Sequence, residues 1–161
     1  MGRQDELAVE HALLQLDEAF DRKSWHGTNL RGSLRGLSAR AAAWRPATGR
    51  HNVWEIAVHA AYWKYAARRR LTGEKRGTFP YEGSNWFRRP ETGGEEAWRV
   101  DVALLVAEHR KLRQAMSALG AGDFAKAAVG GRTTVGALVR GIAAHDLYHA
   151  GQIQLLKRLM R

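Results

Sequence analysis

The chain has 161 residues, 26 of them Lys or Arg against 16 Asp or Glu, for a formal net charge of +10. It contains no cysteine, which excludes disulfides, thiolate metal sites and cysteine nucleophiles, so a transition metal would have to be held by nitrogen and oxygen ligands. No run approaches the roughly 18–20 apolar residues that span a membrane, and no signal-peptide core opens the chain.

These bounds predict a cytoplasmic protein with one domain over residues 1–161. The opening sequence fails the myristoylation pattern because position 6 is Glu6. The basic residues are dispersed, with a run only at residues 68–70. This distribution argues against a nucleic-acid partner and suits a milder affinity for anionic small molecules.

In chain order, the first predicted helix covers residues 5–20, with Val9, Leu13, Leu16 and Phe20 on one face. Residues 21–27 break it, a shorter helical piece spans 28–37, and residues 41–50, with Pro46 and Gly49, read as a connection. Asn52 can cap a second long helix that reaches Thr72, where Gly73 ends it. Residues 73–94 are rich in Gly and Pro yet carry Phe79, Tyr81, Trp86 and Phe87. That composition predicts a loop folded over one end of the molecule and long enough for a crossover. A third helix over residues 95–119 carries the stripe Trp98, Val102, Leu105, His109, Leu112, Met116 and Leu119. Thr133 or Thr134 caps a fourth that ends near Leu159. The fold class that follows is all-α: a four-helix bundle with a long crossover loop between helices two and three.

The fourth helix is the informative one. At 3, 4 spacing its core-facing row is Val135, Leu138, Ile142, His145, His149, Gln152, Leu156 and Leu159. Three consecutive members are polar between aliphatic ends, and a polar group buried without a partner costs roughly 1–3 kcal/mol. His145 and His149 are one turn apart, so both imidazoles can meet one ion at about 2.0–2.1 Å. On the second helix the row Asn52, Ile56, His59, Trp63 and Ala66 supplies a third imidazole. Three neutral nitrogens leave coordination positions open, as catalytic or substrate-binding sites do and closed structural zinc sites do not. Zinc or nickel is the first choice of ion, and iron or manganese also suits such donors. The competing reading is three hydrogen-bonded core histidines. Their convergence from two inward faces favours the metal.

The remaining candidates are weaker. His109 reads as a fourth ligand, a substrate contact or a core residue, with the last two favoured. His26, at a helix break, could reach the bundle mouth as a catalytic group, and His11 and His51 read as surface or cap residues. Glu55, one turn before His59, could be a second-sphere acceptor or a general base, although a solvated glutamate is the plainer reading. Asp146 and Gln152 are further second-sphere candidates, and Trp54, Tyr62 and Trp63 read as core or pocket wall.

The segment His145-Asp146-Leu147-Tyr148-His149-Ala150-Gly151-Gln152-Ile153 resembles the His-x-x-x-His-x-x-Gln signature of the DinB-like (DinB/YfiT) superfamily of metal-binding four-helix bundles. Val53-Trp54-Glu55-Ile56-Ala57-Val58-His59 resembles the segment that brings that family's first histidine ligand. The stretch from Trp25-His26-Gly27 to Trp44-Arg45-Pro46 is similar too. The resemblance implies ligand roles for His59, His145 and His149 only; Gly151, behind the second ligand, reads separately as a position of close packing. It also implies a metal-dependent enzyme of the thiol S-transferase type acting on a small-molecule substrate with a low-molecular-weight thiol. A metal-dependent hydrolase and a non-catalytic, stress-related metal or ligand binder are the alternatives, and a homodimer is an open option.

Overall fold

The computed structural model describes residues 3–92 and 94–160. Four long helices carry the fold: α1 (Arg3–Phe20), α4 (Val53–Thr72), α5 (Glu95–Ser117) and α6 (Val135–Leu159). The short helices α2 (Leu30–Ser33) and α3 (Ala39–Ala43) lie between α1 and α4, and a 3-10 turn (Ala121–Asp123) precedes α6. No strand occurs among the described residues, and none of the described helices is long and apolar enough to cross a membrane. The molecule is thus an all-α bundle.

Local chemistry sets the helix ends. Asn52 accepts from the Glu55 amide at 2.8 Å while its own amide donates to Ala43 at 3.1 Å, so one buried side chain starts α4 and ties it to α3. Gly73 adopts φ 76° and closes α4 through its amide to Arg69, a left-handed turn that glycine makes without a Cβ penalty. Thr134, rather than Thr133, caps α6. Elsewhere the periodicity overreaches. The helical piece expected over residues 28–37 shrinks to α2, the 41–50 connection begins inside α3, and α5 ends two residues before Leu119.

The segment over residues 73–91 does not fold over one end of the bundle; it runs back along α4. Gly77 donates to the Tyr65 hydroxyl at 3.0 Å, Asn85 lies against His59 and Trp63, Trp86 stacks on His51, and Glu91 reaches Arg45. The far side of this strap is pinned to α5 by Asp101, a fully buried carboxylate that accepts from Tyr81, from Arg89 Nε at 2.8 Å and from Trp54 Nε1 at 2.5 Å. Trp54 near the start of α4 therefore faces Asp101 near the start of α5, and Arg68 late in α4 faces Glu108 later in α5. The two helices run in the same direction.

Buried side chains form two apolar clusters. One gathers Phe20, Trp54, Trp98, Leu105 and Ile153; the other gathers Leu16, Ala67, Leu112, Met116, Val139 and Ile142. A polar layer lies between them on three helices: Lys64 on α4, His109 on α5 and Asp146 on α6. Lys64 Nζ is 2.5 Å from Asp146 Oδ2, with both side chains inaccessible to solvent, and the ammonium lies 4.8 Å from the centre of the Phe20 ring. Burial raises the Asp146 carboxyl to about 6 against the pull of Lys64. His109 stacks on Phe20 at 3.7 Å, and burial drives its imidazole down to about 2, so it is neutral. Of the roles open to His109, the structure supports the core residue.

Removing one member of a buried ion pair strands the other charge. Lys64→Met is therefore expected to lower stability by about 3–5 kcal/mol in denaturant unfolding. The double variant Lys64→Met/Asp146→Val recovers most of that loss. A double variant as unstable as the single one would mean that the pair is not what the region depends on.

Candidate metal centre

His59, His145 and His149 come together from the first half of α4 and the middle of α6. Their ligand atoms lie within 4.8 Å of one another, forming a group able to hold a metal ion. The contacts run between Nε2 atoms: His59 to His145 at 3.1 Å and His149 to His145 at 3.0 Å.

The opposite ring nitrogens explain why these faces point inward. His59 Nδ1 is 2.8 Å from the backbone oxygen of Asn85. A carbonyl can only accept, so Nδ1 carries the proton and Nε2 presents a lone pair. His149 Nδ1 is 2.7 Å from Gln152 Oε1, and the Gln152 amide nitrogen donates to the Tyr148 hydroxyl at 3.1 Å. The carbonyl end of Gln152 is thereby turned toward His149, which fixes the same tautomer. His145 Nδ1 is buried with no hydrogen-bond partner among the described residues. Two lone pairs thus face the third nitrogen at about 3 Å, and a proton on His145 Nε2 could satisfy only one of them well. A shared cation satisfies all three, so the donor set fits a divalent ion.

Protonation states agree with that use. Burial, partly offset by the Asn85 hydrogen bond, lowers His59 to about 4. Burial, aided by the neighbouring His149 and His59, lowers His145 to about 3, and burial lowers His149 as well. All three are neutral at pH 7, the form in which imidazole binds metals.

Aromatic packing holds the His59 side of the cluster. Trp86 is sandwiched between His59 at 3.8 Å and His51 at 3.6 Å, both rings nearly parallel to it. Asn85, at φ 68° a left-handed non-glycine residue, turns its carbonyl to His59 while its side-chain oxygen accepts from Trp63 Nε1 at 2.9 Å.

The other candidates lie outside the cluster. Glu55 is not solvated: its carboxylate is buried between Arg45, which donates to both oxygens at 2.5 and 2.9 Å, and His51 Nδ1 at 2.9 Å. Burial alone would raise this carboxyl, but those hydrogen bonds outweigh it and hold it down at about 2. His51, expected at the surface or a cap, is exposed yet joins Glu55 to Trp86. His26 lies on the exposed surface, hydrogen-bonded to Ser24 at 2.8 Å. Asp146 points away into the Lys64 pair. Trp54 is core, Tyr62 is half-buried among the strap aromatics, and Trp63 is partly exposed beside His145. Gly151 is exposed, and a Cβ there would meet nothing within 4 Å, so close packing does not account for it. Sequence reasoning missed Asn85, whose signal was faint: a Gly-Ser-Asn turn followed by Trp86. It also missed Lys64, a charged residue in an otherwise apolar helical slot.

A family model described as the DinB superfamily matches residues 23–153. No curated protein and no solved structure gives a significant match. The buried histidines also set a pH response in the metal-free protein. Their folded-state pKa values lie below the unfolded 6.5, so the unfolded chain binds more protons below pH 6.5, and stability present above that pH is lost as pH falls. Asp146, raised in the fold, acts in the opposite sense, so a paired comparison isolates one group. His109→Leu is expected to reduce the fall in unfolding free energy between pH 6.5 and 5 by about 2 kcal/mol. Denaturant titrations at each pH measure it, and parallel curves for the two proteins would refute the assignment.

Proposed function

The chain belongs to the DinB superfamily, and from that premise we propose that it binds one divalent metal ion through Nε2 of His59, His145 and His149 and works as a metal-dependent enzyme of the thiol S-transferase type. The observation that carries the reading is the convergence of three neutral Nε2 atoms, two of them aimed by hydrogen bonds on the far side of the ring. Zinc or nickel suits these donors best, with iron and manganese also compatible. When bound, such an ion lowers the pKa of a coordinated thiol and so makes it a nucleophile near neutral pH.

The chain's own residues do the rest. Burial keeps the three imidazoles unprotonated. Asn85 and Gln152 hold the Nδ1 protons of His59 and His149 and keep both rings from rotating. Trp86 covers one face of His59 and excludes water there. Because the chain has no cysteine, the thiol is a separate small molecule, and its electrophilic partner is the second substrate.

A hydrolase would activate water on the ion, with a protein base as an aid rather than a requirement. Glu55, the candidate one turn from His59, is bound to Arg45 and ionised down to about pH 2, too weak a base for that task. His26 is engaged with Ser24 at the surface. Those two observations leave a hydrolase without help from either base candidate. A non-catalytic binder differs by showing loss of stability on chelation without turnover.

Metal analysis of the purified protein is expected to find one ion per chain and none in His145→Ala, and conjugation of thiols to electrophiles is expected to stop on chelation. Protein that holds no ion, with metal uptake unchanged in His145→Ala, would overturn the reading. Asn85 provides a finer test by competition with a chelator. Asn85→Val cannot adopt φ 68° without strain and is expected to weaken metal binding about 10–100-fold. Asn85→Gly keeps both the conformation and the carbonyl and stays within a few-fold of wild type. Equal losses in the two variants would sever the link between the Asn85 backbone and His59.

A further inference from the structure

The geometry points to the apolar cavity beside His145 as the seat for a compact apolar group, a short aliphatic chain or one aromatic ring, on the molecule that the centre acts upon; this assignment rests on the metal reading above. The cavity has a volume of about 220 Å³ and lies between the later part of α4 and the earlier part of α6. Trp63, Ala67, Leu138, Gly141 and Ile142 line it, and His145 lies at the end toward the cluster.

Three observations carry the assignment. The first is access. His59 and His149 are only 5% and 3% exposed, whereas His145 is half-buried, and it is His145 that borders this cavity. The larger hollows of about 720 and 500 Å³ contain none of the three histidines.

The second is lining chemistry. Apart from His145, a threonine and the indole nitrogen of Trp63, the lining is hydrocarbon, and that indole N–H is already given to Asn85. The 500 Å³ hollow, by contrast, is lined by charged side chains of both signs, Arg45, Arg50, Arg88, Glu55 and Glu91. An apolar cavity of about 150 Å³ is enough to take up benzene, so the space beside His145 accommodates one ring with a substituent.

The third observation is Gly141. Glycine is disfavoured in the interior of a helix, and Gly141 is the seventh of the 25 residues of α6, without a positive φ. A Cβ there would meet no atom within 4 Å, so no neighbour requires its absence. Gly136 on the same helix differs, since its Cβ would come within 3.1 Å of the Phe124 carbonyl. Gly141 is exposed and borders the cavity, so a long side chain at position 141 would lie at its rim. The absence of a side chain at Gly141 leaves that rim open toward His145.

The test uses 4-fluorotoluene, which has no metal-binding group, titrated into the full-length protein and followed by fluorine NMR. Metal content is measured on the same samples. Saturable binding to wild type is expected, weaker by at least about tenfold in Gly141→Leu, with an intermediate loss in Gly141→Ala, because methyl-sized steps in an apolar pocket are worth that much. Both substitutions favour the helix, and circular dichroism checks that the fold is kept. Wild type that retains its metal yet shows no saturable binding would overturn this inference and leave the metal reading standing. So would binding that is the same in Gly141→Leu. Binding that depends on Gly141 in a protein that holds no metal would support the cavity assignment while the metal reading fails.

Discussion

The buried pair Lys64–Asp146 is the constraint on which the rest of the molecule depends. Asp146 lies between His145 and His149 in sequence, and Lys64 follows His59 by five residues. Two charges without solvent contact, 2.5 Å apart, are tolerated in one arrangement, because separating them in a medium that cannot solvate them costs several kcal/mol. Apolar contacts between α4 and α6 would survive a slip or rotation with moderate loss. The ion pair would not. By fixing the register of the two helices it fixes how His59 stands opposite the His145–His149 pair.

The strap supplies the second constraint, acting from the outside of the bundle. A connection of this length costs loop entropy that grows only slowly with length, but its backbone must still be given partners. Asp101 provides the anchor, drawing Tyr81 and Arg89 of the strap and Trp54 of α4 to one carboxylate. Between those two strap residues, Asn85 gives its backbone oxygen to His59 and its side chain to Trp63, and Trp86 covers the His59 ring. A segment without regular structure thus orients one of the three imidazoles as firmly as a neighbouring helix would.

Sequence made the helices and the three imidazoles legible because both rest on local information. The caps at Asn52 and Thr134, the stop at Gly73 and the one-turn spacing of His145 and His149 need no knowledge of distant residues. Facing direction was less well determined. The predicted row on α6 counted Leu138, His145 and Gln152 as core-facing along with Ile142 and His149, whereas the buried face runs through Val139, Ile142, Asp146, His149 and Ile153. The histidines therefore sit at the centre and the edge of that face, which is why His145 is the accessible one. Partners far apart in the chain were invisible. Glu55 reads as solvated until Arg45 folds over it, and nothing in the sequence pairs Lys64 with Asp146 until α4 meets α6. Asn85 gave little warning because its contribution comes from a backbone carbonyl, which every residue has.

The depressed histidine pKa values tie the site's cost to its use. In the metal-free fold the cluster is a liability: neutral donors face one another at about 3 Å, away from water, and acid draws the chain toward the unfolded state, where each imidazole can take a proton. The same burial removes the competition between protons and a metal ion at neutral pH, since no proton has to leave before a cation enters. Hydrogen bonds on the far side of His59 and His149 have already selected the tautomer and the ring orientation. An ion that binds the folded form alone then stabilises it by mass action, and the part of the structure least comfortable without a cation becomes the part most firmly held with one. His145, with its far nitrogen unpartnered, is the least constrained of the three donors, and it stands on the side from which a second molecule can approach.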